Sequence, residues 1–216
     1  MIVENYMSKK LVTVTKETKI NHAVDLMKEH GIHRLPVLEN NQMIGLLTEG
    51  TIQEAMPSKA TSLSVYEATY LLNKTTVADV MIKEVATIEA DALIEEAIFQ
   101  MRQKNVGVLP VCSSNHELVG IITNNDIFDA FLELTGYNQA GVRVAIEIKE
   151  DHQGVLADLT SIFATHNMNI VQLVVYRNEK IPTIVLQLSH ASEAEVGTVL
   201  KERGYNVLFS VKTTEL

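Results

Sequence analysis

The sequence predicts an α+β protein built from two βαββα repeats followed by a third unit of βαββαβ order. Three observations predict it. A stretch near the start recurs 74 positions on, and each copy alternates short Val/Ile/Thr-rich runs with apolar residues at helical spacing. From Val142 the repeat ends and a new series of alternating and helical segments begins. The length, 216 residues, suits two or three small domains.

The repeat is read directly from the residues. Met7-Ser-Lys-Lys-Leu-Val-Thr13 matches Met81-Ile-Lys-Glu-Val-Ala-Thr87, and the same offset carries Ile20 to Ile94, Ala23 to Ala97, Met27 to Met101 and Leu35-Pro36-Val37 to Leu109-Pro110-Val111. The offset then becomes 75, aligning Gly45-Leu-Leu-Thr48 with Gly120-Ile-Ile-Thr123. A one-residue change of this kind belongs in a hairpin turn. Within each copy a short strand near Thr13 or Thr87 leads into a helix. The buried face of that helix is Ile20, Ala23, Val24 and Met27, or Leu93, Ile94, Ala97, Ile98 and Met101. Gly31 stands where the first of these helices ends. Two strands follow, Leu35–Leu38 with Met43–Thr48 and Leu109–Cys112 with Leu118–Thr123, turning at Asn40-Asn41 and at Ser114-Asn115-His116. A second helix begins after each threonine. The copies are assigned to residues 1–56 and 77–135, with 57–76 as a linker in which Val65, Ala68, Thr69 and Leu72 could share one face of a short helix.

Residues 141–216 form the third unit. Val142-Arg-Val-Ala-Ile-Glu-Ile alternates as a strand, and Val155, Leu156, Leu159, Ile162 and Phe163 mark one face of a helix that starts at Gly154. Ile170–Tyr176 and Thr183–Leu188 are strands joined around Asn178-Glu-Lys. Ser192 with Glu195 forms a capping box for a helix that stops before Gly204, and Asn206–Val211 is the last strand. The order βαββαβ is that of ferredoxin-like domains.

Composition excludes several classes of function. Hydrophobic residues are 46% and charged residues 21%, a globular balance. Apolar runs such as Val106–Cys112 fall far short of the roughly 20 residues of a membrane span. The opening Met1-Ile-Val-Glu-Asn-Tyr lacks the basic head of a signal peptide, so a cytoplasmic location is expected. Net charge is −9, of which −7 lies on residues 1–140 (11 basic, 18 acidic). No basic stripe appears, so neither nucleic acid nor a membrane is an expected partner. The single cysteine, Cys112, sits in the apolar run Leu-Pro-Val-Cys and reads as a buried strand residue rather than a catalytic thiol. His22, His30 and His33 lack the carboxylate or cysteine spacing of a metal site, and Met27, Met81 and Met101 fall on apolar faces. Neither a nucleophile elbow nor a P-loop nor a Gly-x-Gly-x-x-Gly turn occurs. The expectation is a chain with no catalytic residues, no metal and no cofactor.

The tandem Leu-Pro-Val strands, with Gly120-Ile-Ile-Thr-Asn-Asn-Asp126 after the second, resemble a pair of CBS motifs, the adenosine-nucleotide-binding regulatory module. The resemblance covers roughly residues 1–135. It implies that Asp126 accepts hydrogen bonds from a ribose diol, that Thr123 offers its hydroxyl to ribose or phosphate, and that Thr87 makes a polar contact near adenine. A helix-capping role is the alternative for Asp126. Thr13 and Thr48 are the corresponding positions of the first copy, which departs from the pattern by carrying Thr51 where the family has Asp. Its site is therefore expected to be weaker. His33-Arg34 precede the first Leu-Pro-Val, whereas Gly107-Val108 precede the second. Arginine supplies a planar fork of donors suited to phosphate. One composite site follows, with ribose on Asp126 and phosphate on Arg34 and His33, unless Arg34 merely pairs with a surface acid.

Asp151-His-Gln-Gly154-Val155-Leu156, with Asn169-Ile170 after the helix, resembles the opening of an ACT domain, with Gln153 in place of the family's proline. The resemblance implies that these residues form an effector site. The whole order, CBS-CBS-ACT, resembles the acetoin-utilisation proteins of the AcuB type. It implies a homodimeric regulator that binds AMP, ADP or ATP in the CBS pair and an amino acid or other small effector in the ACT domain. Such a regulator reports to a regulated partner protein not named by the sequence and is linked to acetoin or acetyl metabolism. Two alternatives stay open: an S-adenosylmethionine-binding regulator, and a scaffold whose ligand sites have decayed.

Overall fold

The computed structural model describes residues 1–55, 73–177 and 181–215. The linker expected over 57–76 lies largely outside them, as do Val65, Ala68, Thr69, Leu72 and the Asn178-Glu-Lys turn. The chain divides into two compact units, Met1–Ile127 and Phe128–Leu216.

In the first unit, copy 1 consists of helix α1 (Ile20–His30), strands β1 (Arg34–Glu39) and β2 (Gln42–Thr48) and helix α2 (Glu49–Ala55). After a short helix α3 (Val77–Val80), copy 2 consists of β3 (Ile88–Glu89), α4 (Ile94–Lys104), β4 (Val108–Cys112), β5 (Leu118–Thr123) and α5 (Asn124–Leu134), whose residues from Phe128 on belong to the second unit. Most of the apolar spacing read from the sequence packs, but Leu93 and Ile98 of the expected second-copy face are exposed. Ile20, Ala23 and Met27 of α1 are buried against Leu35, Val37 and Leu47, and Ile94, Ala97 and Met101 of α4 against Leu109, Val111 and Ile122. Helix α1 ends at Gly31 (φ 62°), and α4 ends in the same left-handed conformation at Asn105 (φ 52°). Asn40 and Asn41 both have positive φ, the two-residue turn that matches strand twist, while the longer hairpin of copy 2 turns at His116 (φ 62°).

The expected first strand is much reduced in both copies. In copy 1 it is a single parallel bridge, Val14 to Val37, and in copy 2 it is the two residues of β3, paired parallel to Val111 and Cys112. The residues preceding it cross to the other copy. Ser8 bridges Ile121 and Ile82 bridges Leu46, each through two backbone hydrogen bonds of 2.9–3.1 Å. Val3 and Met7 are buried in the core of copy 2, and Val77 in that of copy 1. The repeated Met and Gly explain each other. A Cβ on Gly120 would lie 2.3 Å from the Met7 sulfur, and one on Gly45 would lie 2.6 Å from the Met81 sulfur and 2.9 Å from the Ile82 carbonyl oxygen. Each copy's leading segment therefore seats its methionine in a groove that only glycine leaves in its twin.

In the second unit a four-stranded antiparallel sheet has the order β7-β8-β6-β9: β6 (Gly141–Glu147), β7 (Asn169–Tyr176), β8 (Thr183–Ser189) and β9 (Asn206–Thr213). Helices α6 (Val155–Thr165) and α7 (Glu193–Glu202) complete the βαββαβ order. Val142, Val144, Ile146, Ile184, Leu186 and Leu188 alternate toward one sheet face and pack with Leu159, Ile162, Phe163, Val196 and Leu200 of the helices. Ser192 caps α7 with the expected reciprocal bonds to Glu195.

Candidate functional site

Two clefts lie between the copies of the first unit. Cleft A encloses about 280 Å3 and is walled by Ser8, Lys10, Val12, His33, Arg34 and Thr123 among others. Cleft B encloses about 390 Å3 and is walled by Thr48, Glu49, Glu84, Ala86, Gly107 and again His33 and Arg34. The repeat offset carries one wall onto the other: Ser8 to Ile82, Lys10 to Glu84, Val12 to Ala86, and Thr123 back to Thr48. Because the leading segments cross over, each cleft joins the strand end of one copy to the leading segment of the other.

Thr87 and Thr13 lie just outside the two walls. Val85 and Ala86, preceding Thr87, line cleft B beside Thr48. The segment that faces Thr123 in cleft A is Leu11-Val12, preceding Thr13, which is itself exposed.

Thr123 closes β5 and Asp126 lies in the first turn of α5. The Asp126 Oδ2 accepts from the Thr123 amide at 2.6 Å and from its hydroxyl at 2.7 Å, so the carboxylate holds the turn as a cap does. Its other oxygen has no hydrogen bond among the described residues. Copy 1 keeps the turn and loses the charge. The Thr51 hydroxyl donates to the Thr48 carbonyl at 2.9 Å, and the Thr51 amide donates to the Thr48 hydroxyl at 3.1 Å. A neutral hydroxyl already committed to a carbonyl has little left for a ribose diol.

The basic pair stands at the boundary of the two clefts. His33 Nδ1 lies 3.0 Å from Glu49 Oε2, both side chains at least half exposed, an arrangement worth little in energy. Arg34, half-buried at the start of β1, has a side chain that makes neither an ion pair nor a hydrogen bond among the described residues. Its guanidinium reaches toward Gly107, where an added Cβ would lie 3.5 Å from Nη2 and 2.9 Å from the Asn124 amide nitrogen. The His-Arg and Gly-Val halves of the repeats thus meet here, and the tight neighbour of Gly107 is Asn124 rather than Arg34. Cleft A presents Lys10, His33 and Arg34 with no carboxylate in its wall, whereas cleft B sets Glu49 and Glu84 against the same pair.

The second unit has a cavity of about 330 Å3 where α6 begins, lined by Asp151, His152, Gly154, Val155, Leu156 and Arg177 among others. Gly154 (φ 104°) is the N-cap of α6, in a backbone conformation natural only to glycine. The Asp151 carboxylate pairs with the Arg177 guanidinium. Asn169 and Ile170 do not join this cavity. They open β7, whose other end carries Val175 and leads to Arg177, and Asn169 bonds instead to Ser189. Eight residues of extended chain separate two ends that the sequence motif treats as one site.

Sequence reasoning passed over Lys10, Glu84 and Arg177. For the first two the signal was present, since Lys10 and Glu84 occupy equivalent repeat positions with opposite charge. Arg177 has no counterpart in any motif. Cys112 is 7% exposed, and burial pushes its thiol pKa up. Among the described residues no helix is long and apolar enough to cross a membrane.

A family model for the CBS domain matches residues 3–58 and 77–133. The chain belongs to the CBS-domain family. A CBS domain-containing protein of Dictyostelium discoideum is 30% identical over 135 residues, covering 62% of this chain and 93% of its own length. An inosine-5′-monophosphate dehydrogenase of Korarchaeum cryptofilum is 28% identical over 178 residues, 78% of this chain and 34% of that enzyme. Apart from the Dictyostelium protein, the chain spans about half or less of the curated relatives it matches. Three solved structures share the CBS-pair fold. A Vibrio cholerae protein assigned by name to acetoin utilisation (AcuB) is 25% identical with a TM-score of 0.53, over 63% of this chain and 93% of its own. CBSX2 in complex with AMP is 22% identical at 0.53, over 62% and 97%. The CBS pair of MJ0100 in complex with 5′-methylthioadenosine and S-adenosyl-L-methionine is 24% identical at 0.51, over 61% and 99%.

Proposed function

We propose that this chain is a cytoplasmic, non-catalytic regulator whose CBS pair senses an adenosine nucleotide, AMP, ADP or ATP, in cleft A. The observation that carries the reading is the cleft's one-sided charge. Lys10, His33 and Arg34 line it without a carboxylate in the wall, and the Arg34 side chain has no partner among the described residues, in a chain of net charge −9. A guanidinium left free in an acidic protein is a ready phosphate anchor. Thr123 offers a hydroxyl at the same wall, and the open oxygen of Asp126 serves the ribose. The AMP complex of CBSX2 supports the ligand class.

Cleft B favours a second reading. Glu49 and Glu84 suit a neutral or cationic adenosyl compound, and the MJ0100 complex supports S-adenosylmethionine as its chemistry. In the second unit we propose an ACT domain of ferredoxin-like fold, with residues 141–216 as its extent. Its cavity at Asp151, Gly154, Val155 and Leu156 takes a small effector such as an amino acid. Homodimerisation, a regulated protein partner and a place in acetoin or acetyl metabolism complete the proposal on the likeness to AcuB. Regulation requires each ligand to favour one state of the chain by a differential free energy, typically about 1–3 kcal/mol.

A thermal-shift screen against AMP, ADP, ATP, S-adenosylmethionine and the amino acids tests the reading. A ligand held at 100 times its Kd stabilises by about 2.7 kcal/mol, a shift of several degrees. Nucleotides are expected to raise Tm. No shift with any of them would instead favour a scaffold with decayed sites.

A further inference from the structure

The sheet of the second unit has a second face, turned away from the helices, and that face holds a cavity of about 370 Å3 used by neither reading above. Strand register sets its floor. Arg143 lies between Gln187 and Val211, and in the next row Ala145 lies between Val185 and Phe209, with Val174 beyond Val185. Side chains alternate along a strand, so these residues project opposite to Val142, Val144 and Ile146 of the core. The walls are aromatic: Phe131, Tyr137, Tyr176 and Phe209, which are 58%, 46%, 39% and 45% exposed.

The wall formed by residues 131–139 is tied down. Arg143 donates to the Thr135 carbonyl, and Gln187, 1% exposed, donates to the Gln139 carbonyl at 3.1 Å and to the Thr213 hydroxyl at 2.7 Å. Gly136 (φ 65°) passes so close to β7 that a Cβ would lie 2.7 Å from Gln172 Cγ.

Arg143 is the informative group. It forms no ion pair among the described residues, and its Nε is shut from solvent without an acceptor. Glu147, two positions on along the same strand face, accepts from Asn206 at 2.6 Å. A guanidinium without a carboxylate, in a cavity also lined by four aromatic side chains, calls for an anion on a flat apolar body. The charged group satisfies the donor fork, and the body covers the rings. We propose that this cavity binds a planar aromatic carboxylate, with its carboxylate on Arg143 and its ring against Tyr176 and Phe209.

The probe is 2-naphthoate, with the uncharged 2-naphthamide as control, titrated into the isotope-labelled full chain and followed by NMR. The naphthoate is expected to shift the signals of Arg143, Val174, Tyr176 and Phe209, and the amide to bind about tenfold more weakly because it lacks the charge-assisted bond. Arg143→Gln is expected to lose binding. Because Arg143 also holds Thr135, Tyr176→Ala serves as a second variant that spares that bond, and it is expected to weaken binding about fivefold by removing one ring contact. Equal affinity for acid and amide, no response to either, or unchanged binding by Tyr176→Ala overturns the proposal. So does a shift of the same signals on simple dilution, which would show that a second copy covers this face.

Discussion

Thr51 and Asp126 occupy equivalent turns, each three residues after a threonine that lines a cleft, and differ by one charge. Both hold the local turn through hydrogen bonds to the threonine three positions earlier, so the structural part of the role survives the substitution. The carboxylate adds a free anionic oxygen at one cleft alone. Thr51→Asp is therefore expected to keep the fold and raise the stoichiometry of adenosine binding from one to two per chain by calorimetry; an unchanged stoichiometry would show that the charge at 51 does not limit cleft B. Tyr205 makes a separate prediction at this scale. Burial, and then its 2.7 Å hydrogen bond to Asp158, push its pKa up to about 12 from an ordinary value of 10.0. The folded chain thus keeps a proton that the unfolded chain releases. Its contribution to stability is intact below pH 10 and is lost as pH rises toward about 12. Alkaline unfolding curves should show this loss in the parent and a flatter profile in Tyr205→Phe.

The element that shapes the first unit is the leading segment of each repeat, seated by its methionine against the other copy's glycine. The three atoms nearest a methyl group at Gly120 are all of the Met7 side chain, whereas one at Gly45 also meets, at close range, the Ile82 carbonyl, which is held by its bridge to Leu46. Gly120→Ala and Gly45→Ala are each expected to cost about 1–3 kcal/mol in denaturant unfolding. Met7→Ala should recover most of the first loss, but Met81→Ala only part of the second, since backbone cannot move aside as a thioether can. Equal rescue in both cycles would contradict the crossed arrangement. This element also marks the limit of what the sequence made legible. The faces of α1 and α4, the Asn40-Asn41 turn, the Gly31 stop and the Ser192 cap each rest on contacts a few residues apart, and periodicity reports such contacts well. Which copy a segment pairs with is a long-range matter on which a repeat is silent. Met7 fits either glycine as sequence, so the copy whose leading segment faces Thr123 was not legible. That Asn169-Ile170 lie apart from the Asp151–Leu156 cavity was hidden for a related reason, because a motif records nearness in sequence and a strand carries its ends apart.

Across the whole molecule, charge organises the account. The net −9 falls mostly on residues 1–140, the part that holds cleft A, so a nucleotide must be drawn there by a local cluster against the general field. The attraction should consequently be short-range, and nucleotide affinity should fall only modestly as salt rises from low to physiological strength, because close pairs in a cleft are screened less than distant ones. Affinity that vanished over that range would point to loose surface binding. The charge difference between clefts was legible in Lys10 and Glu84 once the repeats were aligned, but it had meaning only when the structure placed both residues in cleft walls. The central claim is that Arg34, whose side chain has no partner among the described residues, anchors the phosphate of an adenosine nucleotide in cleft A. Calorimetry of AMP with the parent chain and with Arg34→Ala tests it most directly. A loss of about tenfold or more in affinity is predicted, in keeping with one charge-assisted contact, and AMP affinity equal in the two proteins would contradict it.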